Sequence, residues 1–314
     1  MLKRSLIAIA ATVALTVGSM GGAFALPTPA ITQGEIKFSI DNYDSATTGY
    51  GNTPGVKCLN STAACDAAAA SPAPGSAGSV NPNADTMGIF SVSNISNITT
   101  GDTVFVKGAA QGYITGVFGN LLDRTAEVSC GIAGCTTTAL SVGGFFDLWF
   151  NTTDYDPTLG PLVGAGKDLN AGMYPGITDG GAVLLLRGVF AAGAVLNGDL
   201  VSSYLTNFNN GTFGGNGQGF LDVTDGLWMD YFNTNSLGNA NGGFNDLFLT
   251  NTFDDVNGAA SGIGWTVKSV AQVTGQAVPE PGSIALVALG LLSMGAVSRR
   301  RNKNSNNNNS ISNS

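Results

Sequence analysis

Histidine is absent from the whole chain. That one gap removes the Ser-His-Asp and Cys-His nucleophile systems and every metal site built on imidazole ligands. Charge is also scarce, with Asp, Glu, Lys and Arg together at 11% of residues. No G-x-S-x-G elbow, phosphate-binding P-loop or dinucleotide fingerprint behind a strand occurs. The 21 acids contain many pairs that would suit glycoside hydrolysis, but linear order does not say which two face each other across a cleft. The chain therefore reads as a non-enzyme, with a secreted hydrolase as the weakest of three functional readings.

What is present begins with targeting material. Lys3 and Arg4 precede the apolar run Leu6–Val17, and Ala23-Phe24-Ala25 places small residues where a signal peptidase reads them. Residues 1–25 thus have the three parts of a secretory signal peptide, with cleavage after Ala25. At the other end stand Val278-Pro279-Glu280-Pro281-Gly282, the uncharged run Ser283–Ser298, and Arg299-Arg300-Arg301. The two prolines hold the chain extended. The apolar run is somewhat shorter than the roughly 20 residues that cross a bilayer comfortably. It is apolar on all sides rather than striped, which suits a membrane span over residues 283–298 better than a core helix. Basic residues after such a span are held on the cytoplasmic side. Residues 302–314, an Asn/Ser tail, read as disordered.

Together, the order Pro-Glu-Pro, short apolar span and arginine cluster resembles the PEP-CTERM sorting signal over Val278–Arg301. The resemblance implies that an integral-membrane exosortase recognises the segment and processes the protein for export to the cell surface or matrix. The partners implied are exosortase, the secretion machinery and, transiently, the inner membrane, with a single-pass membrane precursor. The Asn/Ser tail is a departure, since the family usually ends soon after the arginines.

Between the two signals, residues 26–277 form the body. Six of the 13 Lys and Arg and one of the 21 Asp and Glu lie in the terminal segments, so the body holds 7 basic and 20 acidic residues, a net charge of −13. Such a surface repels nucleic acid, so no nucleic-acid partner is expected. It suits solubility, cation binding or hydration of a polysaccharide gel. Glycine, at 45 of 314 residues, is about double its usual share. With abundant Asn, Thr and Ser, it reads as turn-rich composition around short apolar runs. That predicts an all-β body, an antiparallel β-sandwich or jelly-roll with Gly/Asn-rich loops.

Several strands are readable. Ile36, Phe38 and Ile40 alternate with Glu35, Lys37 and Ser39 over Gly34–Asp41. Gly88–Ile95, Thr103–Lys107 and Gly112–Phe118 follow, with a turn at Gly101-Asp102. Residues 66–86, rich in Ala, Pro, Gly and Ser, read as a flexible loop. Ala182–Phe190 fits a fully covered strand or a short helix, with Arg187 inside it. Asp199–Phe208 reads as a helix capped by Asp199, and 209–219 as loop. Phe220–Val223 and Leu227–Phe232 read as strands joined at Asp225-Gly226. Gly264–Thr274 closes the body. Gly143–Thr153 and Gly242–Thr252 share six of eleven residues, either a duplicated strand or coincidence in a Gly/Phe-rich chain.

Four cysteines in an exported chain are expected as disulfides. Of three possible connectivities, the local pairs Cys58–Cys65 and Cys130–Cys135 each staple their own loop. Zinc fits neither spacing, and no cofactor is expected. The clusters Asp154, Asp156 and Asp254, Asp255, Asn257 are oxygen-rich enough for calcium, yet Asx residues in turns explain them equally. Trp149, Trp228 and Trp265 are either core residues or sugar platforms. The expected role is a structural or adhesive protein of the cell surface or exopolysaccharide matrix, which follows from the resemblance. The second reading is a secreted carbohydrate-binding β-sandwich that contacts extracellular polysaccharide.

Overall fold

A computed structural model describes residues 28–45, 86–132, 134–159, 174–178, 181–209, 211–212, 214–254, 265 and 267–278. In chain order the elements are β1 (Gly34–Ser45), β2 (Thr86–Asn97), β3 (Thr103–Val106), β4 (Tyr113–Gly131), β5 (Gly134–Asn151), β6 (Val183–Phe190), β7 (Tyr204–Asn209) and β8 (Gly215–Asp225). There follow one helical turn, α1 (Met229–Phe232), then β9 (Leu237–Gly238), β10 (Phe244–Asn245), β11 (Leu247–Asp254) and β12 (Val267–Ala277). The signal peptide, Cys58, Cys65, residues 66–85 of the expected loop, Asp255, Asn257 and everything from Pro279 on lie outside the described residues. Among the described residues no helix is long and apolar enough to cross a membrane.

The all-β expectation holds, but the strands do not form the expected sandwich. β1 pairs with β12 on one side and β2 on the other. The run β1-β12-β11-β8-β6-β5-β4-β2 therefore returns to its start as a closed antiparallel barrel of eight strands. Alternating apolar and polar residues suit a sandwich and a barrel equally. What separates the two is whether first and last strands meet. Here they do, from Gly34 opposite Ala277 to Asp44 opposite Val267.

One stave of the barrel is built from two strands. β6 pairs with the second half of β5, from Phe145 to Phe150, and with Leu221–Asp225 of β8. β7 pairs with the first half of β5, from Thr136 to Ser141, and with Gly215–Gly219 of β8. Between them residues 191–203 loop out. The expected helix at Asp199–Phe208 is thus a loop followed by a strand. Asp199 does cap, but it caps a turn: its Oδ1 accepts from the N–H groups of Val201 (2.9 Å) and Ser202 (3.1 Å). Asn241 staples the loop, its Nδ2 donating to the carbonyls of Gly193, Leu196 and Asp199.

Many glycines sit inside strands rather than in turns, which corrects both the turn-rich reading and the loop expected at 209–219. The barrel interior is crowded by aromatic rings, and glycines on neighbouring strands make room for several of them. A Cβ at Gly88 would lie 2.6 Å from the Phe118 ring, and one at Gly144 would lie 2.7 Å from Phe190. Gly217 and Gly219 of β8 leave the space that Tyr204 fills.

The two ends of the barrel differ. At one rim β1, β4, β6 and β11 begin and β2, β5, β8 and β12 end. Here α1 stands as a plug: the rings of Phe232 and Trp228 lie 5.6 and 6.3 Å from Phe38. This turn replaces the strand expected at Leu227–Phe232. Gly226 has φ +110° and a Cβ there would sit 2.5 Å from the Leu185 carbonyl, so the chain turns inward where a β-hairpin would have carried it on. At the opposite rim the β4–β5 hairpin runs on to its tip at Gly131 and Gly134.

Outside the barrel, β1 and β12 present Glu35, Lys37, Lys268, Gln272 and Gln276, whereas a lipid-facing strand would carry an apolar band there. A second apolar cluster covers the outer face of β2, β4 and β5. It holds Met87, Ile89, Val117 and Phe145 under Tyr155, Tyr174, Ile177 and Trp265.

Candidate functional site

Two places stand out, the rim from which the C-terminal segment leaves and the barrel interior. At the plugged rim, the last residue of β12, Ala277, lies opposite Gly34, the first of β1. The N–H of Val278 donates to the Tyr231 carbonyl at 3.0 Å, tying the chain to α1 one residue before Pro279. The body's first strand and its last therefore start and finish side by side. Pro279, Glu280, Pro281, Gly282 and Arg299–Arg301 lie outside the described residues.

Compared with known families, this segment is decisive. The tail carries a PEP-CTERM protein-sorting motif. The match covers residues 277–301, so it begins on the final residue of β12. A PEP-CTERM motif implies export and processing by exosortase. No curated protein and no solved structure matches the chain.

The barrel interior is the second place. An eight-stranded barrel is the size at which side chains fill the lumen or leave room for one small ligand. Here a cavity of about 90 Å³ remains. Its wall is apolar over most of its length, with Phe38, Phe90, Leu148, Leu186 and Val273 among its residues. Towards the hairpin rim the same inward faces turn polar. On β1 the inward series Ile36, Phe38, Ile40 continues with Asn42 and Asp44, both buried. Ser269 of β12, opposite Asn42, donates its hydroxyl to Asn42 Oδ1. Asn42 Nδ2 donates to Asp44 Oδ2 at 3.1 Å, and the Tyr204 hydroxyl donates to Asn251 Oδ1 at 2.7 Å. Burial pushes the Tyr204 phenol well above its ordinary range; the nearby Asp44 charge adds to this and the Asn251 bond opposes it. Sequence reasoning stopped β1 at Asp41 and missed this cluster. The signal was present as an alternation that keeps its period while its inward residues change from apolar to polar.

The remaining expected residues are placed as follows. Cys130 and Cys135 form a disulfide across the β4–β5 hairpin. Asp154 forms an ion pair with Lys107 (2.6 Å) and accepts from the Ser91 hydroxyl (3.2 Å). Asp156 accepts from the N–H and hydroxyl of Thr158 (2.8 and 2.6 Å), bonds that hold its carboxyl below the usual range. Asp254 ends β11, exposed. Among the described residues no group of three or more acidic or cysteine side chains lies close enough to hold a metal ion. Trp228 and Trp265 are buried, Trp265 donating to the Pro157 carbonyl at 2.9 Å, and Trp149 is half-buried against the outer cluster.

Arg187, the lone charge in the apolar run of β6, meets Asp147 on β5 in a paired contact at 2.8 and 3.1 Å. Burial raises the Asp147 carboxyl above its ordinary range, against the opposing pull of Arg187. The bond to Asp147 in turn raises the Arg187 guanidinium.

Proposed function

We propose that this chain is an exported surface or matrix protein whose barrel has a structural or adhesive role and no catalytic one. It is delivered as a membrane-held precursor and processed by exosortase. The observation that carries the reading is the PEP-CTERM motif starting on the last residue of a barrel strand. Because β1 starts beside the end of β12, the segments leading to both terminal signals depart from one rim. With both anchored, that rim faces the membrane and the opposite one, with the Cys130–Cys135 hairpin, points away from the cell. The disulfide and the ion pairs of the outer wall suit a part that stands exposed outside the cytoplasm.

Exosortase then works close to the barrel. From Val278 to the end of the Pro-Glu-Pro-Gly stretch is four residues, at most roughly 14 Å of extended chain. An extended proline-rich backbone offers the enzyme unpaired peptide groups. The test is the C-terminal peptide of the mature exported protein by mass spectrometry. Mature protein should end near Pro279–Gly282, and replacing Pro279, Glu280 and Pro281 with Ala should leave a larger form in the membrane. Recovery of Arg299–Ser314 from exported protein would overturn the reading. For the non-catalytic part, turnover of a polysaccharide that disappears on changing a pair of carboxylates would do the same.

A further inference from the structure

We propose that the free edge of the β4–β5 hairpin docks a second copy of this chain, the two β4 strands pairing antiparallel about Val128. The hairpin stands at the rim opposite the one from which the C-terminal segment leaves. β2 covers β4 only as far as Leu121, which lies opposite Thr86. β4 then continues to Gly131, roughly 33 Å further, paired with β5 on one side and with no described residue on the other. Glu127, Val128, Ser129 and Cys130 are all exposed, Val128 at 59%. The Cα atoms of Cys130 and Cys135 are 4.0 Å apart, the closer spacing of an antiparallel ladder, which marks a pair that exchanges no backbone bonds. Counting back along the register, Val128–Thr137 and Ala126–Ala139 are pairs of the same kind. The N–H and C=O groups of Ala126, Val128 and Cys130 therefore point away from β5, towards the bare side.

Such an edge is a template for another strand, and its own residues select a second copy of the chain. Edges are commonly guarded by lysine, proline or a bulge. From Ala126 to Gly131 there is none of these, and the disulfide holds the edge ready. The body carries a net charge of −13, yet Glu127 is the only charged residue between Thr125 and Leu140, so two copies meet here with the least repulsion. The edge is also complementary to itself. With Val128 on the two-fold axis, Ala126 of one copy faces Cys130 of the other. The three N–H groups on each copy then donate to carbonyls across the axis, about six bonds in all. Glu127 stands opposite the Ser129 hydroxyl of the other copy rather than a second Glu127. A centre at Ala126 would carry the irregularity at Asp123–Thr125 into the ladder, and one at Cys130 would run past the hairpin tip. The result is one sheet continuing from β8, β7, β5 and β4 into the same strands of the second copy. This pairing is independent of how the chain is sorted.

The experiment is sedimentation of the purified exported protein over a concentration series, with residue-resolved amide exchange by NMR at both ends of it. The protein should pass from monomer to dimer as concentration rises. The amides of Ala126, Val128 and Cys130 should gain protection at least tenfold in the dimer, while those of Glu127 and Ser129, already bonded to β5, change little. Val128→Pro removes an N–H that no bond inside the hairpin uses, and edge strands accept proline at such positions. It should fold and weaken dimerisation at least tenfold. Val128→Lys, which sets two like charges face to face, takes its place if circular dichroism shows that the proline variant does not fold. Three results would each overturn the proposal: a protein that stays monomeric throughout, a dimer in which Val128 and Cys130 gain no protection, or a folded variant that dimerises as tightly as the parent.

Discussion

Gly143–Thr153 and Gly242–Thr252 share six of eleven residues, and in each a buried Leu faces the core directly after a buried Asp (Leu148 after Asp147, Leu247 after Asp246). The two aspartates do different work. Asp147 lies in the middle of β5, where the backbone is already paired on both sides, and its carboxylate answers the side chain of Arg187. Asp246 stands between β10 and β11, at the plugged rim, where residues 233–236 after α1 lie in no strand. Its carboxylate accepts from the backbone N–H groups of Val223 (2.8 Å), Thr234 (2.7 Å) and Asn235 (2.7 Å). The same short pattern builds the same strand face twice. What its acid does depends on which groups nearby lack a partner.

This difference is open to measurement. The largest effect is expected at Asp246. Asp246→Ala leaves three N–H groups without an acceptor, each at about 1–3 kcal/mol when buried, so urea unfolding should show a loss of about 3 kcal/mol or more. A loss below about 1 kcal/mol would mean that water replaces the carboxylate and that the rim is looser than described. Arg187→Ala should cost a similar amount, about 3 kcal/mol, because it leaves a buried carboxylate uncompensated. Here the two sites part. Replacing Asp147 and Arg187 together with Leu and Met should recover most of that loss, since a buried ion pair often equals an apolar pair of like size. No second side-chain change rescues Asp246→Ala, because its partners are backbone. Equal rescue at both sites would erase the distinction.

The smallest expected effect is in pH dependence, where Asp147 and Asp199 have opposite signs. Asp147 is raised by burial. Its native form holds a proton more firmly than the unfolded chain does, so its contribution to stability is present at low pH and falls as pH rises from the ordinary carboxylate value through the raised one. Asp199 is lowered in spite of the opposing effect of burial, by bonds from Ser202 and Val201 and by Arg124 at 3.1 Å. Its contribution is present above the ordinary value and is lost as pH falls through the lowered one. Thermal unfolding between about pH 3 and 6 should therefore show Asp147→Asn losing a gain on acidification, and Asp199→Asn losing a loss. Parallel curves for both variants and the parent would remove the assignment.

Local features were the legible ones. The period-two face of β1, the strands β2 and β4, the Cys130–Cys135 hairpin and the C-terminal sorting motif follow from residues close together in the chain. Closure of the barrel rests on β1 meeting β12, and no short window holds that information. The glycines misled for a related reason. Gly215, Gly217 and Gly219 look like loop residues until the ring or backbone facing each from the next strand is known. Asp199 carried a true capping signal. What followed it was decided by tertiary pairing, since Tyr204–Asn209 completes the stave that β6 leaves unfinished.

The pairing of Gly34 with Ala277 also sets an order of events in time. Contacts this distant in sequence, some 240 residues apart, form late and slowly. Until β12 has crossed the membrane, β1 and β11 each keep an open edge, the kind of edge that recruits other chains. The residue that completes the ring is also the first residue of the sorting motif. In the membrane-held route proposed above, a precursor paused on its apolar tail holds the last strand beside its partners while the ring closes. Release ahead of closure would free a chain with two unpaired edges, so on that proposal the pause is a folding interval as well as an address.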